Sequence, residues 1–413
     1  MKEIIKNTWL YSIARRIYYF LTPDYHYPNP VGSELKQLKR VLYSTNWNSS
    51  YSTSGLHYKL EKEFADFIGC NYAVAVNTGG MALQMIFRGL GLKPGDEVVH
   101  QVDTCVATSY AILNSFCTPT FADVDMNSFM LNKDELLGNI TDRTKIILPV
   151  HMWGNAENMS TIADIAAKKN LLIVEDACLS LGAECENKKI GSFGKAAAFS
   201  FGCLKPIQAG EGGMIVTNDS NLAKELRILR DWGETTKELG YRDQKHLSWN
   251  GRMSEFVASV ALEQLKGYPD HLKLLRENVD FFSQYINSIP GLSIIHTANK
   301  SVYTQVVIKI NPKLFPISKN EFIEKLKTDK VNVWHANFEP INSLSFFSKQ
   351  EWRNWVLKGD LDYITSNYSK SFSNAYELYQ NVGMGINKIH FLHKRNVKAL
   401  IKIINGILNL KKQ

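Results

Sequence analysis

The chain has 413 residues, enough for one large hydrophobic core and a second, smaller one. Apolar residues make up 45% and charged residues 21%, the balance of a soluble globular protein. The net charge of +8 is spread along the chain without a long basic run. That argues against a nucleic-acid-binding module and suits anionic small molecules. The six cysteines (Cys70, Cys105, Cys117, Cys178, Cys185 and Cys203) form no CxxC pair and have no His-rich neighbour. This points away from a disulfide framework and from a metal site, and the expected compartment is a reducing cytoplasm.

No apolar run reaches the roughly 18 residues that a membrane span needs. In residues 1–21, Ile5, Trp9, Ile13 and Ile17 recur every four residues, with Lys2, Lys6, Arg15 and Arg16 off that stripe. The spacing predicts an amphipathic helix. Such a helix can pack on its own protein or a partner subunit, or lie as a peripheral anchor on an anionic membrane face such as the inner membrane.

From residue 72 to about 260, short β-type runs alternate with helical ones. "YAVAV" (72–76) precedes "MALQMIFRGLG", and "DEVVHQV" (96–102) precedes "TSYAILNSF". "TPTFADVD" (118–125), "KIILPVHMWG" (145–154), the helical "STIADIAAKKN" (160–170), "LLIVEDA" (171–177), "AAAFSF" (196–201) and "GMIVTND" (213–219) follow. The pattern predicts an α/β fold with a mostly parallel central sheet and helices on both faces. Beyond about residue 265, a helical "HLKLLRENVDFFSQYI", strand-like "YTQVVIKI" and "KVNVWHA", and a helical "RNVKALIKIINGIL" predict a smaller C-terminal α+β domain. The expected organisation is an extension over 1–27, a large domain over 28–265 and a small domain over 266–413. Residues 343–370 lack a clear period and read as an insertion or a lid.

Ligands of α/β sheets bind at the carboxyl ends of the strands, and four features fall there. "VNTGGMAL" (76–83) turns through Thr78-Gly79-Gly80 into a helix, whose N-terminal N–H groups can hold a phosphate. No Lys follows the glycines, which disfavours a nucleotide P-loop. "IVEDACLSLGAE" places Asp176 at a strand end, as a helix cap or as an anion facing a cationic ring. "SFGCLKPIQAGEGG" (200–213) places Ser200 and Lys205 after the next strand. Lys205 is an exposed loop lysine or a nucleophile toward a carbonyl. "LSWNGRMSEF" carries Asn250 and Arg252 on a loop that can reach a neighbouring subunit; alone, Arg252 reads as a solvated arginine. A phosphate nest, an Asp and a Lys at successive strand ends meet the needs of pyridoxal 5′-phosphate (PLP).

With "IVEDAC", "SFGCLKP", "GEGGMIVTND" and "WNGRM" in this order, the sequence resembles the fold type I, PLP-dependent nucleotide-sugar aminotransferases of the DegT/StrS type over about residues 28–413. The resemblance implies that Lys205 is the Schiff-base lysine and Asp176 the partner of the ring nitrogen. It implies that Thr78, Gly79, Gly80 and Ser200 bind the phosphate. Asn250 matches a residue that reaches the phosphate of a neighbouring subunit, hence a homodimer with shared sites. His151 and Glu211 also fall in motif positions. The implied reaction carries an amino group from glutamate to a keto group of a nucleotide-linked sugar, for a polysaccharide or similar glycan.

Three positions depart from the family pattern. Cys105, in Thr104–Thr108, stands where an aromatic residue usually stacks on the ring. Leu179 replaces a Gln or His near the PLP hydroxyl, and Gly80 replaces a hydroxyl residue. A stacking contact contributes about 0.5–1.5 kcal/mol and a hydrogen bond about 1 kcal/mol. Losses of that size weaken PLP binding by about one or two powers of ten and leave the covalent step to Lys205. Two competing readings use the same fold. A PLP-dependent sugar dehydratase would carry His in place of Lys205, and a PLP-free binding or assembly protein is suggested only by Cys105, Leu179 and Gly80.

Overall fold

The computed structural model describes residues 33–44, 46–47, 55–236, 242–295, 300–336, 338–356 and 361–409. The amphipathic stretch 1–21, and the whole expected extension 1–27, lie outside the described residues.

The alternating runs form a seven-stranded sheet of β1 (Tyr72–Val76), β2 (Glu97–Gln101), β3 (Thr118–Ala122), β4 (Thr144–Ile147), β5 (Leu172–Asp176), β6 (Ala196–Ser200) and β7 (Gly213–Thr217). The spatial order is β1-β7-β6-β5-β4-β2-β3. Strands β2 to β6 pair in parallel, whereas β7 is antiparallel to both its neighbours, β1 and β6. The carboxyl ends of β1 to β6 therefore share one edge of the sheet.

Side chains alternate across each strand, and both faces are buried. Val98, Ile146 and Ile215 join Val74 and Val174 on one face; Val99, Ile147 and Met214 join Phe199 and Phe64 on the other. The helices are α1 (Glu34–Ser44), α2 (Leu56–Ile68), α3 (Gly79–Gly89), α4 (Val106–Leu113), α5 (Met159–Lys169), α6 (Ser220–Arg230) and α7 (Glu255–Ile286). Thr78, Asn158, Asp219 and Ser254 cap the starts of α3, α5, α6 and α7 by accepting backbone N–H groups.

Helix α7 starts 16 residues before the helical run expected at His271, and Pro269 lies inside it. A proline in a helix interior costs roughly 3 kcal/mol. Packing outweighs this here: Tyr268 and Leu272 are buried, and the Tyr268 hydroxyl donates to Leu181 O at 2.7 Å. The first part of α7 packs Ala258 and Leu262 on the large sheet, and its end packs Val279, Phe282 and Ile286 on the small one. Residue 265, the expected domain boundary, falls within this one helix.

The small sheet contains β8 (Leu292–Ile294), β9 (Gln305–Ile310), β10 (Val333–His335) and β11 (Gly383–Asn387). Its order is β8-β9-β11-β10, with every pair antiparallel. It is covered by α8 (Lys319–Thr328) and α9 (Lys394–Asn409).

The described part of residues 343–370 contains short helical turns that bury Phe347 and Tyr368 against Phe121 of β3, with Trp352 packed on Tyr368. Asn367 lies along the free edge of β3. It accepts from Phe121 N at 3.0 Å and donates to Phe121 O at 3.2 Å, and the Tyr368 hydroxyl donates to Pro119 O at 2.8 Å. The segment thus covers the sheet edge. Asn367→Ala leaves both Phe121 backbone groups unpaired in the interior and is expected to lower stability by about 2–4 kcal/mol, measured by urea unfolding.

Candidate active site

The turns after β1, β5 and β6 meet at the carboxyl edge of the large sheet. After β1, Thr78 is extended and its Oγ1 accepts from Met81 N at 3.0 Å. The N–H groups of the first helical turn have no acceptor within α3, so those of Gly79 and Gly80 are available to an anion. A Cβ on Gly79 would lie 2.8 Å from Ser200 Cβ and from Cys178 Sγ, and one on Gly213 would lie 2.5 Å from Thr78 C and O. A Cβ on Gly80 would meet nothing within 4 Å. The turn is pressed against β6 and β7 on one side and open at Gly80, which fits a phosphate seat.

Glu175 and Asp176 are neighbours on β5 and so face opposite ways. Glu175 is fully buried and accepts from Gly191 N, Phe193 N and Gly194 N at 2.8, 2.8 and 2.7 Å. Its Oε2 lies 3.3 Å from His151 Nε2, while His151 Nδ1 accepts from Glu157 N. These two residues brace the strand. Asp176 uses Oδ1 to accept from Cys178 N at 3.2 Å, a turn-forming bond, and Oδ2 to accept from the Thr108 hydroxyl at 2.9 Å. Asp176 is 5% exposed. A carboxylate held this way can keep a proton on a ring nitrogen.

His100, on β2, donates from Nδ1 to Gln101 O at 2.7 Å and meets Ser109 Oγ through Nε2 at 3.1 Å. Burial lowers its pKa to about 4, partly opposed by the bond to Gln101 and by the charge of Asp176. The ring is therefore neutral near pH 7.

Beyond β6, Ser200 Oγ accepts from Gly202 N at 3.3 Å. Leu204 takes a left-handed conformation, φ 64°. Lys205 is half-buried, its N–H donates to Gly202 O at 3.4 Å, and its carbonyl accepts from Lys388 Nζ at 2.8 Å. Burial, followed by the charge of Asp176, raises the Cys178 thiol well above its ordinary range; the Lys205 charge pulls the other way. Cys178 thus stays protonated in a field shared by Asp176 and Lys205.

Cys105 occupies the cap position of α4 without a side-chain bond to the helix, and Leu179 leans on the aromatic cluster beside β3. Asn250 is exposed on the loop paired with Asp231, and its carbonyl accepts from Asn77 Nδ2 at 3.2 Å. Glu211 is exposed, its carboxylate near Gly202. The reading of Arg252 as solvated needs correction: its side chain is 16% exposed and pairs with Asp231, because the loop folds back onto β1. Thr108, Cys178 and Lys388 join the site without having been singled out from the sequence. Thr108 closes the Thr104–Thr108 run, but its spacing does not reveal that it faces Asp176. Lys388 comes from the other end of the chain and carries no local signal. Among the described residues, no group of three or more His, Cys, Asp or Glu could hold a metal ion.

Residues 31–357 match the DegT/DnrJ/EryC1/StrS aminotransferase family. The chain belongs to that family and is a PLP-dependent aminotransferase with the fold type I architecture. It is 32% identical over 304 residues to the spore coat polysaccharide biosynthesis protein SpsC of Bacillus subtilis (strain 168), covering 71% of this chain and 78% of that protein. It is 30% identical over 324 residues to the GDP-perosamine synthase of Escherichia coli O157:H7, covering 78% and 86%. Among solved structures, an aminotransferase from Psychrobacter cryohalolentis superposes with a TM-score of 0.84 at 24% identity, over 94% of this chain and 100% of that one. Helicobacter pylori PseC, an aminotransferase involved in pseudoaminic acid biosynthesis, gives 0.80 at 23%, over 92% and 98%.

Gly79→Ala must displace Ser200 or Cys178 and is expected to cost about 1–3 kcal/mol, whereas Gly80→Ala is expected to be neutral or stabilising by up to about 1 kcal/mol, both measured by denaturant unfolding of the cofactor-free protein. His100 has a folded pKa near 4, below its ordinary 6.5, so the unfolded chain binds that proton first. Its contribution to stability is present above pH 6.5 and is lost as pH falls toward 4. The stability gap between the wild type and His100→Asn should narrow over that window.

Proposed function

We propose that this aminotransferase transfers an amino group from glutamate to a keto group of a nucleotide-linked deoxysugar. The observation that carries the reading is the meeting of three strand-end turns at Gly79, Cys178 and Ser200, in a chain of this family. A nucleotide-linked sugar as acceptor is supported by relatives named GDP-perosamine synthase and, in Shigella dysenteriae, dTDP-4-amino-4,6-dideoxy-D-glucose transaminase.

PLP, when bound, supplies an electron-withdrawing ring that stabilises negative charge at the reacting carbon. Thr78, Gly79, Gly80 and Ser200 would hold its phosphate through backbone N–H groups and hydroxyls. Asn250 would reach the phosphate held by a second copy, in a homodimer with shared sites. Cys105 and Leu179 would line the ring. Asp176, held by Thr108, would keep the proton on the ring nitrogen. Lys205 would attach the cofactor covalently and, once released, take and return the proton at the substrate carbon. We place the enzyme in the cytoplasm, in the synthesis of a surface glycan such as lipopolysaccharide; six cysteines that form no disulfide suit that compartment. No helix among the described residues is long and apolar enough to cross a membrane.

The test is incubation with PLP, ¹⁵N-glutamate and a panel of nucleotide keto-sugars, read by mass spectrometry. The expected product is a ¹⁵N-amino sugar, and Lys205→Ala should lower turnover by at least about 10²–10⁴-fold, the usual worth of a positioned acid–base group. Release of a deoxy sugar without nitrogen incorporation, or undiminished amination by Lys205→Ala, would overturn the reading.

A further inference from the structure

We propose that Lys388 is the positioning residue of the Lys205 turn, holding from the small sheet the backbone conformation that aims the Lys205 side chain. The inference rests on the reading of Lys205 given above.

In the turn after β6, the N–H of Lys205 meets Gly202 O at 3.4 Å, Ile207 is buried in the core of the large sheet, and Ala209 N donates to Phe201 O at 2.9 Å. Between these points Leu204 adopts φ 64°, a left-handed conformation that is strained for a side chain of its size. Such a conformation persists only when its surroundings hold it. The Leu204 side chain is 45% exposed and cannot serve as the anchor. The bond from Lys388 Nζ to the carbonyl of Lys205, the next residue, can.

Lys388 is built for this contact. It lies 183 positions away in sequence and follows β11 directly, in the helical turn Lys388–Phe391. That turn is fixed in two ways. Asn387 Oδ1 accepts from Ile389 N at 3.0 Å, and Asn278 of α7 donates to Phe391 O at 2.7 Å. The Lys388 side chain is 5% exposed, in a niche shared with Pro206, Tyr268, Leu272, Leu275 and Leu392. Burial lowers its pKa well below the ordinary lysine value. The contact ties the strained turn to the small sheet and to the end of the helix that both sheets share.

The experiment compares wild type with Lys388→Met, which keeps the apolar stem, and with Lys388→Gln, which keeps a donor at shorter reach. Each is stripped of cofactor, and the rate of PLP capture is followed by absorbance and by borohydride trapping with peptide mapping. Lys388→Met is expected to keep its thermal midpoint and its KM for the keto-sugar. Capture at Lys205 and kcat should both fall about 10–100-fold, the scale of a misplacement near 1 Å, with Lys388→Gln intermediate. Capture by Lys388→Met at the wild-type rate would overturn the proposal. If Lys388→Met does not fold, slowed capture by a folded Lys388→Gln supports the proposal, its capture at the wild-type rate overturns it, and failure of both to fold makes Lys388 a packing residue and overturns it. Trapping of PLP on another lysine in the wild type would overturn both this inference and the reading of Lys205; normal trapping at Lys205 with unchanged rates in the variants would overturn this one alone.

Discussion

The site depends on backbone packed too closely for a side chain to fit. Gly213 of β7 lies against the carbonyl of Thr78, and Gly79 lies against Ser200 and Cys178. These contacts bring the start of α3 beside the end of β6. The antiparallel course of β7 makes this possible, because it inserts a strand between β1 and β6 that begins where they end. Asp176 and the Lys205 turn then extend the arrangement along the same edge.

Much of this architecture was legible in the sequence. Apolar runs such as "KIIL" and "LLIV" mark strands buried on both faces, and seven of them appear in the sheet close to where the pattern puts them. The glycine at 79 signals a close approach, which the structure makes against Ser200 and Cys178, whereas Gly80 has open space beside it. What stayed hidden depends on long-range packing. Pro269 suggests a helix break, but buried neighbours on both sides keep α7 continuous. The 343–370 segment has no single period because its short turns each bury one or two aromatic residues against a sheet edge distant in sequence.

The same division holds within the site. Asp176 and Lys205 lie at strand ends, where the alternation of the chain marks a ligand edge. The groups that orient them come from elsewhere: Thr108 from α4, Lys388 from the far side of β11. Arg252 shows the reverse error, a residue that looks solvated until a loop folds back and pairs it with Asp231. Local sequence identifies groups that can do chemistry; the tertiary fold decides which of them are held still.

Asn367 meets the N–H and C=O of Phe121 with its own amide, as a neighbouring strand would. The sheet therefore ends on a side-chain imitation of backbone instead of a row of open bonding groups. A chain cut off before this asparagine would present β3 as a bare template, and its first partner would be the equivalent edge of another truncated copy. The segment that looks like an embellishment on the family pattern is thus what keeps the large sheet finite.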